Sequence, residues 1–540
     1  MPSITASALG WASPEGRAVL SGIDLQLGRE RVGLVGRNGV GKTTLLHLLS
    51  GERQPTSGKI TLDGHLHLMR QALATDPQAS IATLFGVAPA LAVLRRADAG
   101  LATLEEMGDA DWTLETRIEE ALARVGLDAS GETLLADLSG GQRTRAGLAA
   151  AIFAAPDFLF LDEPTNNLDR EGRAALIALV ESWNAGLLVV SHDRELLERM
   201  DAILELTTLG LTRYGGNWSQ YRARKAVELQ AAQDDLAHAR KHQGEIERRA
   251  RLATERQQKR DAAGSRKAAR GDMPRIVMGL RKNAAEASSG SGARLSERLA
   301  AQAGDAVAAA RERIEVLQQL SITLPSSGLY AERDVLTMTG VTAGYDPAHP
   351  VLNNIDLTIT GPQRIAITGP NGMGKSTLLR LISGDLAPLA GRVAVHVPCA
   401  IIDQHVGFLD PALSILDNFR ALNPDANENA CRAILAGFLF RADAALQSVG
   451  TLSGGQMLRA GLACRLGGTH PPALLVLDEP TNHLDLDSIQ AVEAALAAYD
   501  GALLVVSHDE AFLDAIGIAR HLRLQPTGDG PATLTEEQSR

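Results

Sequence analysis

Residues 31–44 read RVGLVGRNGVGKTT and residues 364–377 read RIAITGPNGMGKST. Each begins as a short apolar run of buried-strand character and passes into GxxxxGK[ST], with a helical pattern following at Thr43 to Ser50 and Ser376 to Ser383. That order of strand, glycine loop and helix wraps backbone N–H groups around phosphates and aims a helix N-terminus at them. In the first copy Gly36, Asn38, Gly39, Gly41, Lys42, Thr43 and Thr44 form the candidate cradle. In the second it is Gly369, Asn371, Gly372, Gly374, Lys375, Ser376 and Thr377. The lysines would reach the β/γ-phosphates, and the hydroxyls of Thr43 and Ser376 suit Mg²⁺. ATP and Mg²⁺ are thus the expected cofactors.

The glycine loops are part of a larger duplication. LSGGQ at 138–142 recurs at 452–456, LDEPTNNLD at 161–169 recurs as LDEPTNHLD at 477–485, and VVSHD at 189–193 recurs at 505–509. The glycine loops are offset by 333 residues but the later motifs by 314 to 316. The first half therefore carries roughly 18 extra residues between about Gln71 and Leu138. Strand-like FLFLD (158–162), LLVLD (474–478) and the two LLVV runs (187–190, 503–506) read as a parallel sheet core. The alternation of apolar and polar residues over 3–30 and 58–70 predicts an antiparallel layer beside it. The strand-ending LDE gives Asp162 and Asp478 as Mg²⁺-shell carboxylates. Glu163 and Glu479, one residue on, would orient and polarise the attacking water.

Taken in order, these motifs resemble the ATP-binding cassette superfamily, and the resemblance runs through both halves. LSGGQ is its most diagnostic element. The resemblance implies an α/β fold of two P-loop cassettes, each with a parallel sheet core, an antiparallel β layer and a helical subdomain. It also implies composite sites, with Ser139 and Gly141 capping the γ-phosphate on the Lys375 loop and Ser453 and Gly455 doing so for the Lys42 loop. Gln71 and Gln404 resemble the glutamines that touch Mg²⁺ and water, and His192 and His508 resemble the switch histidines on the γ-phosphate. Asp169 and Asp485 resemble the aspartates that cross-link the two sites. Trp11 and Tyr345 resemble the aromatic that stacks on adenine. Both sites keep every catalytic element, so hydrolysis of ATP to ADP and phosphate is expected at each.

Between the cassettes, read as 1–217 and 334–540, residues 218–333 are rich in Ala, Arg, Gln, Lys and Glu, with apolar residues near heptad spacing. This segment is expected to be an α-helical hairpin with its tip near 264–292. From His238 to Lys282 there are 14 Arg and Lys against five Asp and Glu, in a chain of net charge −11. Positive charge confined to one segment of an acidic chain favours docking that segment on a polyanion. No Phe, Trp or Tyr occurs from Arg222 to Leu329, so contacts to phosphates and shape are expected in place of base stacking.

No run of about 18 apolar residues is present, so membrane insertion is not expected. The N-terminus lacks a signal-peptide pattern. The three cysteines, Cys399, Cys431 and Cys464, are unpaired by spacing, which suits a reducing cytoplasm. Two cassettes in one chain, a charged linker entered through YGGNWSQY (214–221) and no membrane span resemble the ABC-F family. That resemblance implies a monomer with an intramolecular cassette pair, acting on the ribosome (rRNA or tRNA) through the 238–282 segment. A translation factor and a ribosome-protection protein conferring antibiotic resistance both fit. An ATPase component serving a separate membrane transporter is the alternative. A DNA-maintenance role is disfavoured, because zinc-type cysteine pairs and a very long coiled coil are absent and the chain closes in a short polar tail.

Overall fold

The computed structural model describes residues 2–69, 78–166, 168–268, 298, 301–305, 307, 322–403, 406–482, 484–526 and 530–537. Residues 1–218 and 320–540 form one compact unit containing both cassettes, and residues 219–319 form a second.

In the first cassette β1 (Ser3–Ala12), β2 (Ala18–Leu27), β3 (Arg31–Val35), β4 (Ser57–Asp63) and β5 (Leu66–Met69) precede the helical region. β6 (Phe158–Asp162), β7 (Gly186–Val190), β8 (Ala202–Thr207) and β9 (Gly210–Gly215) follow it. β2, β1 and β4 make a three-stranded antiparallel sheet, as the alternation at 3–30 predicts. The predicted antiparallel layer does not extend through 58–70. Gly64, at φ +126, turns the chain after β4, and β5 joins the edge of the parallel sheet through Leu66–Phe158 to Met69–Leu161 pairing. That second sheet runs β5-β6-β7-β3-β8-β9, parallel except for the β8/β9 hairpin.

The second cassette comprises β10 (Asp334–Ala343), β11 (Leu352–Thr360), β12 (Arg364–Thr368), β13 (Ala390–Val395), β14 (Cys399–Ile402), β15 (Leu474–Asp478), β16 (Ala502–Val506), β17 (Arg520–Pro526) and β18 (Ala532–Glu537). Here one nine-stranded sheet is continuous, because β11 meets β18 at Leu352–Ala532 and so joins the antiparallel layer to the parallel core. The period-2 alternation of strands sends side chains to two cores. Leu475, Leu477, Leu503 and Val505 pack towards the helical subdomain. Leu474, Val476, Ala502, Leu504 and Val506 pack against the antiparallel layer and the helix Lys375–Ser383.

The first-half surplus forms separate short helices. Four helices (Ile81–Leu84, Ala88–Asp98, Leu104–Gly108, Leu114–Arg124) stand where the second cassette has two (Ile415–Leu422, Glu428–Gly437) among the described residues. In the second unit the helix Trp218–Ala268 runs for 51 residues, roughly 75 Å at the α-helical rise. Residues 301–305 are also helical. Most of the expected hairpin tip lies outside the described residues.

Candidate active site

In both parallel sheets the motifs leave the carboxyl ends of neighbouring strands, the edge at which such sheets present ligand sites. β3 is followed directly by Gly36 and β6 by Glu163, and His192 lies two residues beyond β7; β12, β15 and β16 repeat this with Gly369, Glu479 and His508. Gly36 has φ +152, and a Cβ there would lie 2.3 Å from the Leu206 carbonyl oxygen, so the loop start admits only glycine.

Lys42 Nζ donates to the Gly36 carbonyl at 2.6 Å and lies 3.0 Å from His192 Nε2. Lys375 Nζ repeats this with Gly369 at 2.7 Å and His508 Nε2 at 2.9 Å. Burial lowers the pKa of both lysines, opposed chiefly by Glu163 and Glu479. The lysine of each loop also feels an aspartate of the opposite cassette, Asp485 for Lys42 and Asp169 for Lys375.

Glu163 and Glu479 are left-handed, at φ 47° and 45°, a state that is costly for residues other than glycine and concentrates at functional sites. Their N–H groups donate to Val190 and Val506 at 2.9 and 2.8 Å, which fixes each turn against the adjoining strand. Burial drives the Glu163 carboxyl up to about 8 and the Glu479 carboxyl to about 7, against the pull of Lys42 and Lys375. Burial likewise depresses His192 to about 3 and His508 to about 4, reinforced by the same lysines. His192 Nε2 lies 3.2 Å from Glu163, and its Nδ1 is buried with no hydrogen-bond partner among the described residues.

The Thr43 hydroxyl bonds to the Asp162 carboxylate, and Ser376 does the same with Asp478; burial raises both aspartates. A hydroxyl and one carboxylate, both hard oxygen donors beside a phosphate loop, fit Mg²⁺, which keeps waters and substrate phosphates as its remaining ligands. Among the described residues no cluster of three or more His, Cys, Asp or Glu offers a metal site.

Two cavities result. One of about 430 Å³ is lined by Val19, Asn38, Gly39, Gly41, Lys42, Thr43, Thr44, Asp162, Glu163, Asn166, Val190 and His192. The other, about 480 Å³, gathers Tyr345, Asn371, Gly372, Gly374, Lys375, Ser376, Thr377, Asp478, Glu479 and His508. It also takes in Glu163, Asn166, Arg173, His192 and Asp193 from the first cassette, so Glu163 and His192 border both cavities.

Asp485 caps the helix Leu486–Ala498 through Ser488 and with its other oxygen accepts from the Asn38 N–H at 2.9 Å. Asp169 caps the helix Arg170–Ser182 through Gly172 and borders the Gly369–Pro370 side of the second loop.

Tyr345 and Trp11 do not occupy equivalent positions: Trp11, paired with Leu20 in β1, corresponds to Ala343, paired with Leu352 in β10, and Tyr345 lies two residues beyond it. Tyr345 lines the second cavity, with its hydroxyl 3.5 Å from Thr377 Oγ1. Trp11 is absent from the first cavity's lining and carries the Arg53 guanidinium over its ring at 5.2 Å. Ser139 and Ser453 each cap a helix, Gly140–Ala154 and Gly454–Leu466, in a reciprocal capping box with Gln142 and Gln456. Neither serine lines either of these two cavities, nor does Gly141 or Gly455. Gln71 and Gln404 lie outside the described residues.

Sequence reading missed four arginines that bind the cassettes together, among them Arg170, which lies 3.7 Å from Glu510. Arg37 meets Asp487 at 2.8 Å, and Arg173 donates to the His508 carbonyl at 2.6 Å. Arg194 grips Glu493 with two bonds, of 2.7 and 3.0 Å. The signal available was mismatch between the repeats. Arg37, Arg173 and Glu493 stand where the other copy has Pro370, Ile489 and Ile177.

The family profile described as ABC transporter matches residues 20–166 and 352–482. The tylosin resistance ATP-binding protein TlrC of Streptomyces fradiae is 33% identical over 530 residues, covering 91% of this chain and 92% of that protein. The probable ATP-binding protein YheS of Escherichia coli (strain K12) is 32% identical, covering 90% of this chain and 73% of that protein. Among solved structures, the RNase-L Inhibitor has the same fold, with TM-score 0.61 at 17% identity over 99% of this chain and 90% of that one. No helix among the described residues is long and apolar enough to cross a membrane. The chain belongs to the ABC-F family of twin-cassette ATP-binding proteins.

Proposed function

We propose that the two cassettes close on two ATP molecules, that both sites hydrolyse them to ADP and phosphate, and that the cycle acts on the ribosome through the basic segment 238–282. The observation that carries the ATPase reading is the duplicated cluster of loop lysine, hydroxyl–aspartate pair, left-handed glutamate and histidine. Lys42 and Lys375 bind the β/γ-phosphates, and backbone N–H groups of the glycine loops hold the rest. Thr43 with Asp162, and Ser376 with Asp478, would hold Mg²⁺, joined by Gln71 and Gln404; the ion supplies charge neutralisation on the transferring phosphoryl group. Glu163 and Glu479 orient the attacking water and accept its proton, a role for which carboxyls raised to about 8 and 7 are suited near neutral pH. His192 and His508 hold the γ-phosphate from the neighbouring strand. Ser139, Gly141, Ser453 and Gly455 complete the sites on closure.

The ribosome reading rests on family membership and on the local excess of nine positive charges between His238 and Lys282 in an acidic chain. The test is sedimentation of the Glu163→Gln, Glu479→Gln protein through sucrose with ATP. Comigration with ribosomes is expected, lost at raised salt or when 264–292 is replaced by a short Gly/Ser loop. A protein that stays at the top of the gradient or follows membrane vesicles would overturn it. The similarity to TlrC, a tylosin resistance protein, favours drug protection as the purpose. Expression should then raise the tylosin concentration that a susceptible host survives.

A further inference from the structure

Arg173 sits in the first turn of the helix Arg170–Ser182 in the first cassette, yet lines the cavity built on the second cassette's glycine loop. Its guanidinium donates to Asp193 at 2.6 Å within its own cassette. The other branch donates to the main-chain carbonyl of His508 in the opposite cassette, also at 2.6 Å. The Arg173 and Asp193 side chains are 12% and 4% exposed, so the fork is buried at the cassette boundary.

Asp193 is held in turn. Its other oxygen caps the short helix behind it through the N–H groups of Glu195 and Leu196. A rigid chain of contacts therefore runs from the first cassette to the backbone of the second cassette's histidine. The His508 ring, on that same residue, meets Lys375 at 2.9 Å and Glu479 at 3.5 Å.

The duplication does not repeat this device. The position equivalent to Arg173 is Ile489, whose side chain can donate to nothing. His192 thus receives no arginine fork from the second cassette, although it keeps the same ring contacts to Lys42 and Glu163.

We propose that Arg173 is a positioning residue for the second composite site only, holding His508 from across the cassette boundary, so that the two sites are mechanically unequal. The proposal rests on the assignment of Glu163 and Glu479 as the water-orienting residues of their sites. Arg173 acts through His508 and not on ATP itself. Fixing the main chain of a residue that grips the transferring phosphate is the kind of orientation whose loss costs rate more than affinity.

The test isolates each site by single-turnover phosphate release. Glu163→Gln leaves only the second site able to burst, and Glu479→Gln only the first. Arg173→Lys is the informative variant, because lysine keeps the charge beside Asp193 but replaces the two separately directed branches of the planar fork with a single nitrogen. In the Glu163→Gln background it should slow the burst about tenfold or more with ATP affinity little changed. In the Glu479→Gln background the burst should change less than about threefold. Equal slowing in both backgrounds, or slowing in neither, overturns the proposal. Thermal unfolding of Arg173→Lys, expected to match the parent, separates a lost fork from a lost fold. If the Glu163→Gln, Glu479→Gln double variant bursts like the wild type, the underlying assignment of the glutamates has failed instead, which is a distinguishable result.

Discussion

Arg194 of the first cassette and Glu493 of the second form a two-pronged ion pair, both side chains 13% exposed. Largely buried, bidentate and spanning the boundary, it is worth more than a surface pair, and removing one partner strands the other's charge. Alanine at either position should lower the unfolding temperature of the ATP-bound Glu163→Gln, Glu479→Gln protein. The coupling energy from the double-mutant cycle should be about 1–3 kcal/mol. A coupling near zero would show that the pair does not hold the cassettes together.

Glutamine at both Glu163 and Glu479 preserves shape while removing the proton acceptor. Steady-state ATP hydrolysis should fall by about a hundredfold or more, with ATP retained on the protein through gel filtration. Turnover near the wild-type rate would displace these residues from the chemistry.

The substitution Gly36→Ala places a Cβ 2.3 Å from the Leu206 carbonyl at φ +152. Main chain cannot yield there as a flexible side chain would. The expected result is a loss of about 1–3 kcal/mol in stability and of nucleotide binding at the first site. Calorimetry and equilibrium binding read the two effects separately.

Stability without nucleotide should depend on pH in two opposed ways. Unfolded His192 takes up its proton near 6.5 and folded His192 only near 3. The unfolded state therefore holds more protons between those values, and stability falls as pH is lowered through them. Folded Glu163 keeps its proton up to about 8, whereas the unfolded side chain loses it near 4.5. Here the folded state holds more protons, and stability falls as pH rises from 4.5 to 8. His508 and Glu479 follow in the same directions. Of these four groups only the glutamates act above pH 6.5, so the melting temperature of Glu163→Gln, Glu479→Gln should gain on wild type from pH 6.5 to 8.

The two aromatics differ because Tyr345 stands two residues beyond the position equivalent to Trp11. Tyr345→Ala should weaken ATP at the second site by about 3–10-fold, through loss of a contact worth about 1 kcal/mol. Trp11→Ala, with Arg53 already over its ring, should change binding at the first site less. Titration with a fluorescent ATP analogue in each single-site background would compare them.

How much of this was legible in the sequence follows from which constraints are local. Gly36, Lys42, Asp162 and Glu163 were readable because phosphate binding demands particular residue types at fixed spacing beside a strand end. The parallel core was readable from apolar runs such as FLFLD. The edge position of β5 was not, because LHLM after Gly64 alternates like the antiparallel strand before it, and only the turn decides which sheet it joins. The partnership of Arg173 with His508 spans 335 residues and leaves no local trace. The joining of two sheets into one in the second cassette depends on a single pairing, Leu352 with Ala532.

The arginines at the boundary all come from one half and their acceptors from the other. If two first cassettes from separate chains paired in the same geometry, Arg194 would face Ile177; two second cassettes would set Glu510 against Glu493. Either self-pair leaves an ion unmatched in a place where water is scarce. The duplicated halves have thus diverged into complementary rather than interchangeable faces, and crowding many copies of the chain together would still bring a first half against a second half and never like against like.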